Sequence, residues 1–180
     1  KNPAKVELIL RESLKVILAE WPKGKPEGLI ICEHISGHIC ANAGVDLSNS
    51  GSADHAVLLP KNPDREARRL VAKFRKRLRR RVGVSISDTF GRPWRVGLVN
   101  VAIGAADVPV ILDVRGAKDD DGRKLTASML AIADELAAAA GLVMGKTRRT
   151  PVVIVRGIDL GRRGAAAKQL VRVAKEDLFR

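Results

Sequence analysis

Between Val82 and Arg95 the chain changes character within a few residues, and that change narrows what it can fold into. Val82, Val84 and Ile86 alternate with Gly83, Ser85 and Ser87, the period-two pattern of a strand with one buried face. The run then ends in Asp88 and Thr89, followed by a loop broken by Gly91 and Pro93 that carries Arg92 and Arg95. A strand that delivers a carboxylate and a hydroxyl to a loop offers hard oxygen ligands for Mg²⁺ or Mn²⁺. The arginines behind it offer guanidinium forks for phosphate or carboxylate. That combination suits phosphoryl chemistry at a carboxylate substrate. The plainer alternative is a strand and a turn in which Asp88 caps backbone amides.

The rest of the chain supplies helices and strands without strict alternation. Asn2-Pro3 reads as a cap and first helical residue, and Val6, Leu10, Leu14, Ile17 and Trp21 recur at helical spacing before a break at Pro22 to Gly28. Gly28–Cys32 and His38–Ala41 predict a hairpin around Ser36-Gly37. His34 and His38 flank its turn, but a zinc pair would need further ligands. Asn42 to Ser52 is a loop of Gly, Asn, Ser and Asp, the composition of a solvated Asx-turn segment. Asn62-Pro63-Asp64 opens a second helix with an apolar stripe of Ala67, Leu70, Val71, Phe74 and Leu78. Val96–Gly104 and Val108–Leu112 read as strand-like, with a turn at Asp119 to Gly122 after them. A long Ala-rich helix is predicted from Leu125 to Val143, and Met144 to Thr147 closes it in a small polar turn. Pro151–Val155 reads as a buried strand and Ala165 to Ala174 as a last helix. The class predicted is α+β, a mixed β-sheet flanked by helices in two intertwined subdomains.

The 180 residues are 46% hydrophobic, enough to bury a core in one domain or two small ones. With three Phe, two Trp and no Tyr, aliphatic residues must fill it. No stretch reaches a membrane span and no signal peptide is visible. Cys32 and Cys40 form no C-x-x-C pair and read as buried thiols of a reducing cytoplasm. The net charge of +13 raises the question of nucleic acid. Its basic residues concentrate between Arg65 and Arg81, where a helix with solvated charged faces is the ordinary explanation. A nucleic-acid-binding module built on that helix would leave the Asp88 segment unexplained, and the chain nearly lacks aromatic stacking residues. G-x-x-x-x-G-K-[ST], G-x-G-x-x-G and G-x-S-x-G are all absent.

Several segments in order carry a family resemblance. They are Cys40-Ala-Asn-Ala-Gly-Val-Asp-Leu-Ser-Asn49, Leu58-Leu-Pro60, Val82 through Arg95, Val101-Ala-Ile-Gly104, Ala133-Asp-Glu-Leu-Ala137, Met144-Gly-Lys146 and Val155-Arg-Gly157. Over essentially its whole length the chain resembles the coenzyme F420-0:L-glutamate ligase (gamma-glutamyl ligase) family, and Asp177-Leu-Phe-Arg180 is similar to its bacterial members.

The resemblance implies an enzyme that uses GTP to join L-glutamate to the lactyl carboxylate of a phosphorylated deazaflavin precursor, then adds γ-linked glutamates. It implies Asp46, Asp88 and Thr89 as ligands of Mg²⁺ or Mn²⁺ and K⁺ as a further cation. Asn49, Met144, Gly145 and Lys146 correspond to nucleotide contacts, and Arg92 and Arg95 could hold an anionic substrate. A cytoplasmic homodimer is implied as well. The family pattern has a second Arg and a Gln-Thr-Asp where this chain has Val96 to Asn100, and Gly-Arg-Lys-Asp-Leu where it has Gly116 to Asp120. These departures leave open a gamma-glutamyl ligase acting on another carboxylate. The family also has an amino-terminal segment with nucleotide contacts, and its absence before Lys1 predicts a domain truncated at the amino terminus, with weak GTP affinity.

Overall fold

The computed structural model describes residues 2–21, 23–24, 28–48, 50–52, 55–158, 164 and 166–177. The first helix begins as its sequence demands. Asn2 accepts the Ala4 amide at 2.9 Å and Pro3 opens α1 (Pro3–Arg11). The helix does not continue to Trp21. It stops at Glu12, whose amide reaches back to Leu8 O at 3.0 Å, and the chain becomes strand β1 (Ser13–Glu20). Helical spacing of the apolar residues misleads here because Val16 and Ile17 prefer pleated backbone. The segment also pairs with β2 (Leu29–His34), in an antiparallel ladder running from Ser13 opposite His34 to Glu20 opposite Leu29, with irregularities at Leu14 and Ile17. The predicted hairpin forms between β2 and β3 (Ile39–Ala41), with Cys32 opposite Cys40. Both cysteines are buried and make no disulfide.

Helix α2 (Pro63–Leu78) follows the predicted start, but only the first part of its stripe is covered. Ala67 and Val71 are buried, whereas Phe74 is 38% and Leu78 55% exposed. The two-stranded hairpin of β4 (Val84–Arg92) and β5 (Arg95–Ala106) corrects the opening expectation. Asp88 and Thr89 stand within β4, not in a loop after it. Thr89 and Phe90 favour extended backbone, and the strand runs on until Pro93, which has no amide to give a ladder. Only Pro93 and Trp94 form the turn.

Beyond β5 the buried Val108 and Val110 lead into β6 (Leu112–Asp113), which pairs with β7 (Met129–Leu130). The helix predicted from Leu125 therefore starts later, as α3 (Ile132–Met144). Residues 125–131 spend their backbone elsewhere, for instance in the Leu125 amide bond to Ala117 O at 2.8 Å. Pro151–Val155 is not a buried strand: it pairs with nothing among the described residues, and Val152 and Ile154 are each 72% exposed. Apolar β-branched residues supply strand propensity, but no sheet edge among the described residues receives them. In place of the last helix stand single 3-10 turns at Ala167–Leu170 and Ala174–Glu176, and Ala165 lies outside the described residues.

The α+β class expected from sequence is what forms, with its strands distributed over three small sheets among the described residues. The chain divides into two units with interleaved segments: residues 1–63, 90–97 and 171–180, and residues 64–89 and 98–170. In the first, Ile9, Cys32, Ala43 and Val45 make the core. In the second, Ala102, Ala105, Val110, Ala133, Ala137 and Ala167 make one cluster, and Ala67, Val71 and Ala106 another beside Val84 and Ile86. Residues 102–106 of β5 are all buried. Among them Ala102 and Ala105 pack with Ala133 and Ala137 of α3, and Ala106 with Ala67 and Val71 of α2, small residues that allow close approach.

Candidate active site

The second unit holds the most developed polar constellation. Thr89 on β4 donates its hydroxyl to Asn100 Oδ1 on β5 at 3.1 Å. The Asn100 amide nitrogen in turn lies 3.9 Å from Met144 Sδ at the end of α3. Thr89 and Met144, taken from motifs far apart in sequence, are thus joined through one side chain that sequence reasoning noted only as a departure. The space for it comes from Gly141: a Cβ there would stand 3.0 Å from Asn100 Cγ and 3.1 Å from its Nδ2, closer than ordinary packing allows. Gly145 follows with φ +56, a backbone conformation that glycine adopts cheaply. Lys146 is exposed, and Asp88 is half-buried one residue before Thr89.

Two carboxylates hold this frame, and the sequence reading assigned neither a role. Asp134 in the first turn of α3 accepts the Ala102 amide at 2.8 Å; burial pushes its pKa upward, against the effect of that bond. Asp64 in the first turn of α2 is buried and accepts the amides of Ala105 and Ala167, each at 2.8 Å, and of Lys168 at 3.3 Å. Side-chain carboxylates at two helix starts thereby accept backbone amides of β5. Asp after the cap residues Asn62-Pro63, and Asp in Ala133-Asp-Glu, were the available signals.

In the first unit Asp46 bridges backbone to Val57, at 3.0 and 2.7 Å. Its exposed carboxylate accepts the Ser48 amide at 2.8 Å and the Ser48 hydroxyl at 2.7 Å. This is the Asx turn the loop's composition suggests. Asn49 lies outside the described residues. Arg92 and Arg95 are exposed on either side of the hairpin turn. Ser36 Oγ lies 2.7 Å from His34 Nδ1 and 2.8 Å from His38 Nδ1, so both rings are tied to the turn they flank. A depression of about 240 Å³ on α1, lined by Ala4, Glu7, Leu8 and Arg11, includes none of the candidate residues.

Among the described residues no group of three or more His, Cys, Asp and Glu side chains is arranged to hold a metal ion. Thr89 and Asn100 instead bring a hydroxyl and an amide oxygen together, while Asp88, its neighbour within β4, places its carboxylate on the opposite face of the strand. Such hard ligands fit Mg²⁺ or Mn²⁺, which keep water and phosphate oxygens as further ligands. No helix among the described residues is long and apolar enough to cross a membrane.

A family model described as F420-0:Gamma-glutamyl ligase matches residues 1–157. A coenzyme F420:L-glutamate ligase of Methanopyrus kandleri is 44% identical over 185 residues, covering all of this chain and 71% of the relative. The proteins of the same name from Methanocaldococcus jannaschii and Methanothermobacter thermautotrophicus are each 41% identical, with all of this chain and 70% of each relative covered.

Proposed function

The chain belongs to the F420-0:gamma-glutamyl ligase family, and from that premise we propose that it joins L-glutamate to the carboxylate of coenzyme F420-0 at the expense of GTP, then adds γ-linked glutamates. A carboxylate resists an amine until one of its oxygens becomes a leaving group. In the proposed reaction a carboxylate oxygen attacks the γ-phosphorus of GTP, and GDP departs. The glutamate amine then attacks the acyl carbon of the resulting acyl phosphate, inorganic phosphate leaves, and the amine proton passes to solvent.

The residues' part in this is positioning and charge. Asp46 of the first unit, and Asp88 and Thr89 of the second, are each assigned to Mg²⁺ or Mn²⁺, with K⁺ as a further cation. When bound, the divalent ion supplies neutralisation of phosphate charge. Asn49 and Met144 to Lys146 are assigned to the nucleotide, and Arg92 and Arg95 to the negative charge of the acceptor. A cytoplasmic homodimer is part of the same proposal.

The observation that carries the reading is the link from Thr89 through Asn100 to Met144. It sets a residue assigned to the cation beside one assigned to the nucleotide, where a phosphate chain would need both. Phosphate release from GTP tests the proposal. Release is expected only with acceptor, glutamate and a divalent cation together; equal turnover after exhaustive chelation would remove the proposed chemistry.

A further inference from the structure

The tip of the β4–β5 hairpin is built against the interests of folding. Trp94 is 83% exposed and Val96 fully so, in a chain that has only five Phe and Trp residues together with which to fill its interior. A buried indole contributes one of the largest apolar areas a side chain can offer, and here that contribution is forgone. Trp94 also follows Pro93 in the two-residue turn with φ +57, a left-handed position that ordinarily falls to glycine or asparagine. Finally, Arg92 ends one strand and Arg95 begins the next. Residues flanking a two-residue turn stand opposite each other, and like charges so placed weaken a hairpin. An exposed ring, a left-handed backbone at a bulky residue and two opposed cations have one use in common, which is to meet something flat and negative.

We propose that this tip is a recognition platform for a planar heteroaromatic ring bearing phosphate or carboxylate, with the Trp94 indole stacking on the ring and Arg92 and Arg95 reading its charge. The inference rests on the ligase reading, which supplies two molecules of that chemistry, the guanine nucleotide and the deazaflavin acceptor. An indole face suits either ring, because stacking depends on π surface rather than on hydrogen-bond pattern. Guanidinium groups pair with phosphate and carboxylate alike.

The test uses Trp21→Phe as background, so that of the chain's two tryptophans only Trp94 emits. That protein is titrated separately with GTP and with the deazaflavin acceptor while emission is followed. Calorimetry then compares wild type, Trp94→Ala and Trp94→Phe. Saturable quenching by one ligand is expected, with affinity for it about tenfold weaker in Trp94→Ala and largely retained in Trp94→Phe; the quenching ligand identifies the ring. Unchanged affinity for both ligands in Trp94→Ala overturns the platform and leaves the ligase reading standing. Failure of the wild-type protein to bind either ligand overturns both. Unchanged affinities with an altered sedimentation coefficient in Trp94→Ala make the tip an interface between copies, and also overturn it.

Discussion

Asn100 uses both ends of its amide, toward the Thr89 hydroxyl and toward Met144 Sδ. Leucine has nearly the same shape and neither function. Asn100→Leu is therefore expected to fold, and to lower kcat/KM for GTP-dependent ligation by roughly a hundredfold through misplacement of Thr89; steady-state kinetics beside a thermal melt checks this. A second residue-scale effect concerns pH. His34 is buried, and burial lowers its pKa despite the neighbouring Glu12 carboxylate 3.9 Å away. The unfolded chain takes up that proton near pH 6.5, while the folded chain resists it to lower pH. Between those points the unfolded state binds more protons, so stability falls as pH is lowered through about 6.5. The Tm should drop from pH 7.5 to pH 5, and less steeply in His34→Gln. An equally steep drop in the variant would assign the effect to other groups.

At the scale of elements, Asp64 joins the start of α2 to β5 and to the 3-10 turn at Ala167. Asp64→Ala leaves two buried amides without an acceptor, at about 1–3 kcal/mol each, so a loss on the order of 2–5 kcal/mol is expected in denaturant unfolding. Along α2 itself the effect of truncation depends on position. Leu78→Ala should change stability by about 0.5 kcal/mol or less because Leu78 is already in water, whereas Val71→Ala removes core contacts and should cost clearly more. The same helix shows what sequence does and does not reveal. Its start was legible, because Asn-Pro-Asp acts locally, and its stripe was legible as a pattern. Where the stripe runs out of core was not, since that depends on how far β4 and β5 reach beneath it. Residues 13–20 fail for a related reason: their apolar spacing suits a helix, and only the distant partner β2 makes them a strand. Leu125–Ala131 and Pro151–Val155 repeat the lesson in opposite directions, one gaining pairing that sequence could not foresee and the other lacking it.

For the whole molecule, the family was legible because its motifs recur in order, and the match over residues 1–157 bears that out. For the candidate site the sequence supplies residue types, and the structure adds one piece of geometry, the link from Thr89 through Asn100 to Met144. Thr89 and Met144 were named from separate motifs, but Asn100, which joins them, is a departure from the family pattern and carried no positive signal. Asp46 belongs to the first unit and Asp88 with Thr89 to the second, and within each unit backbone pairing sets where they stand. Transfer of glutamate to a deazaflavin carboxylate is read from the mass of the deazaflavin after incubation. With GTP, L-glutamate and Mn²⁺ present, the acceptor should gain the mass of one and then further glutamyl units, and none when GTP is withheld. An acceptor of unchanged mass, recovered beside folded protein with all three present, would show that this protein does not transfer glutamate to the deazaflavin.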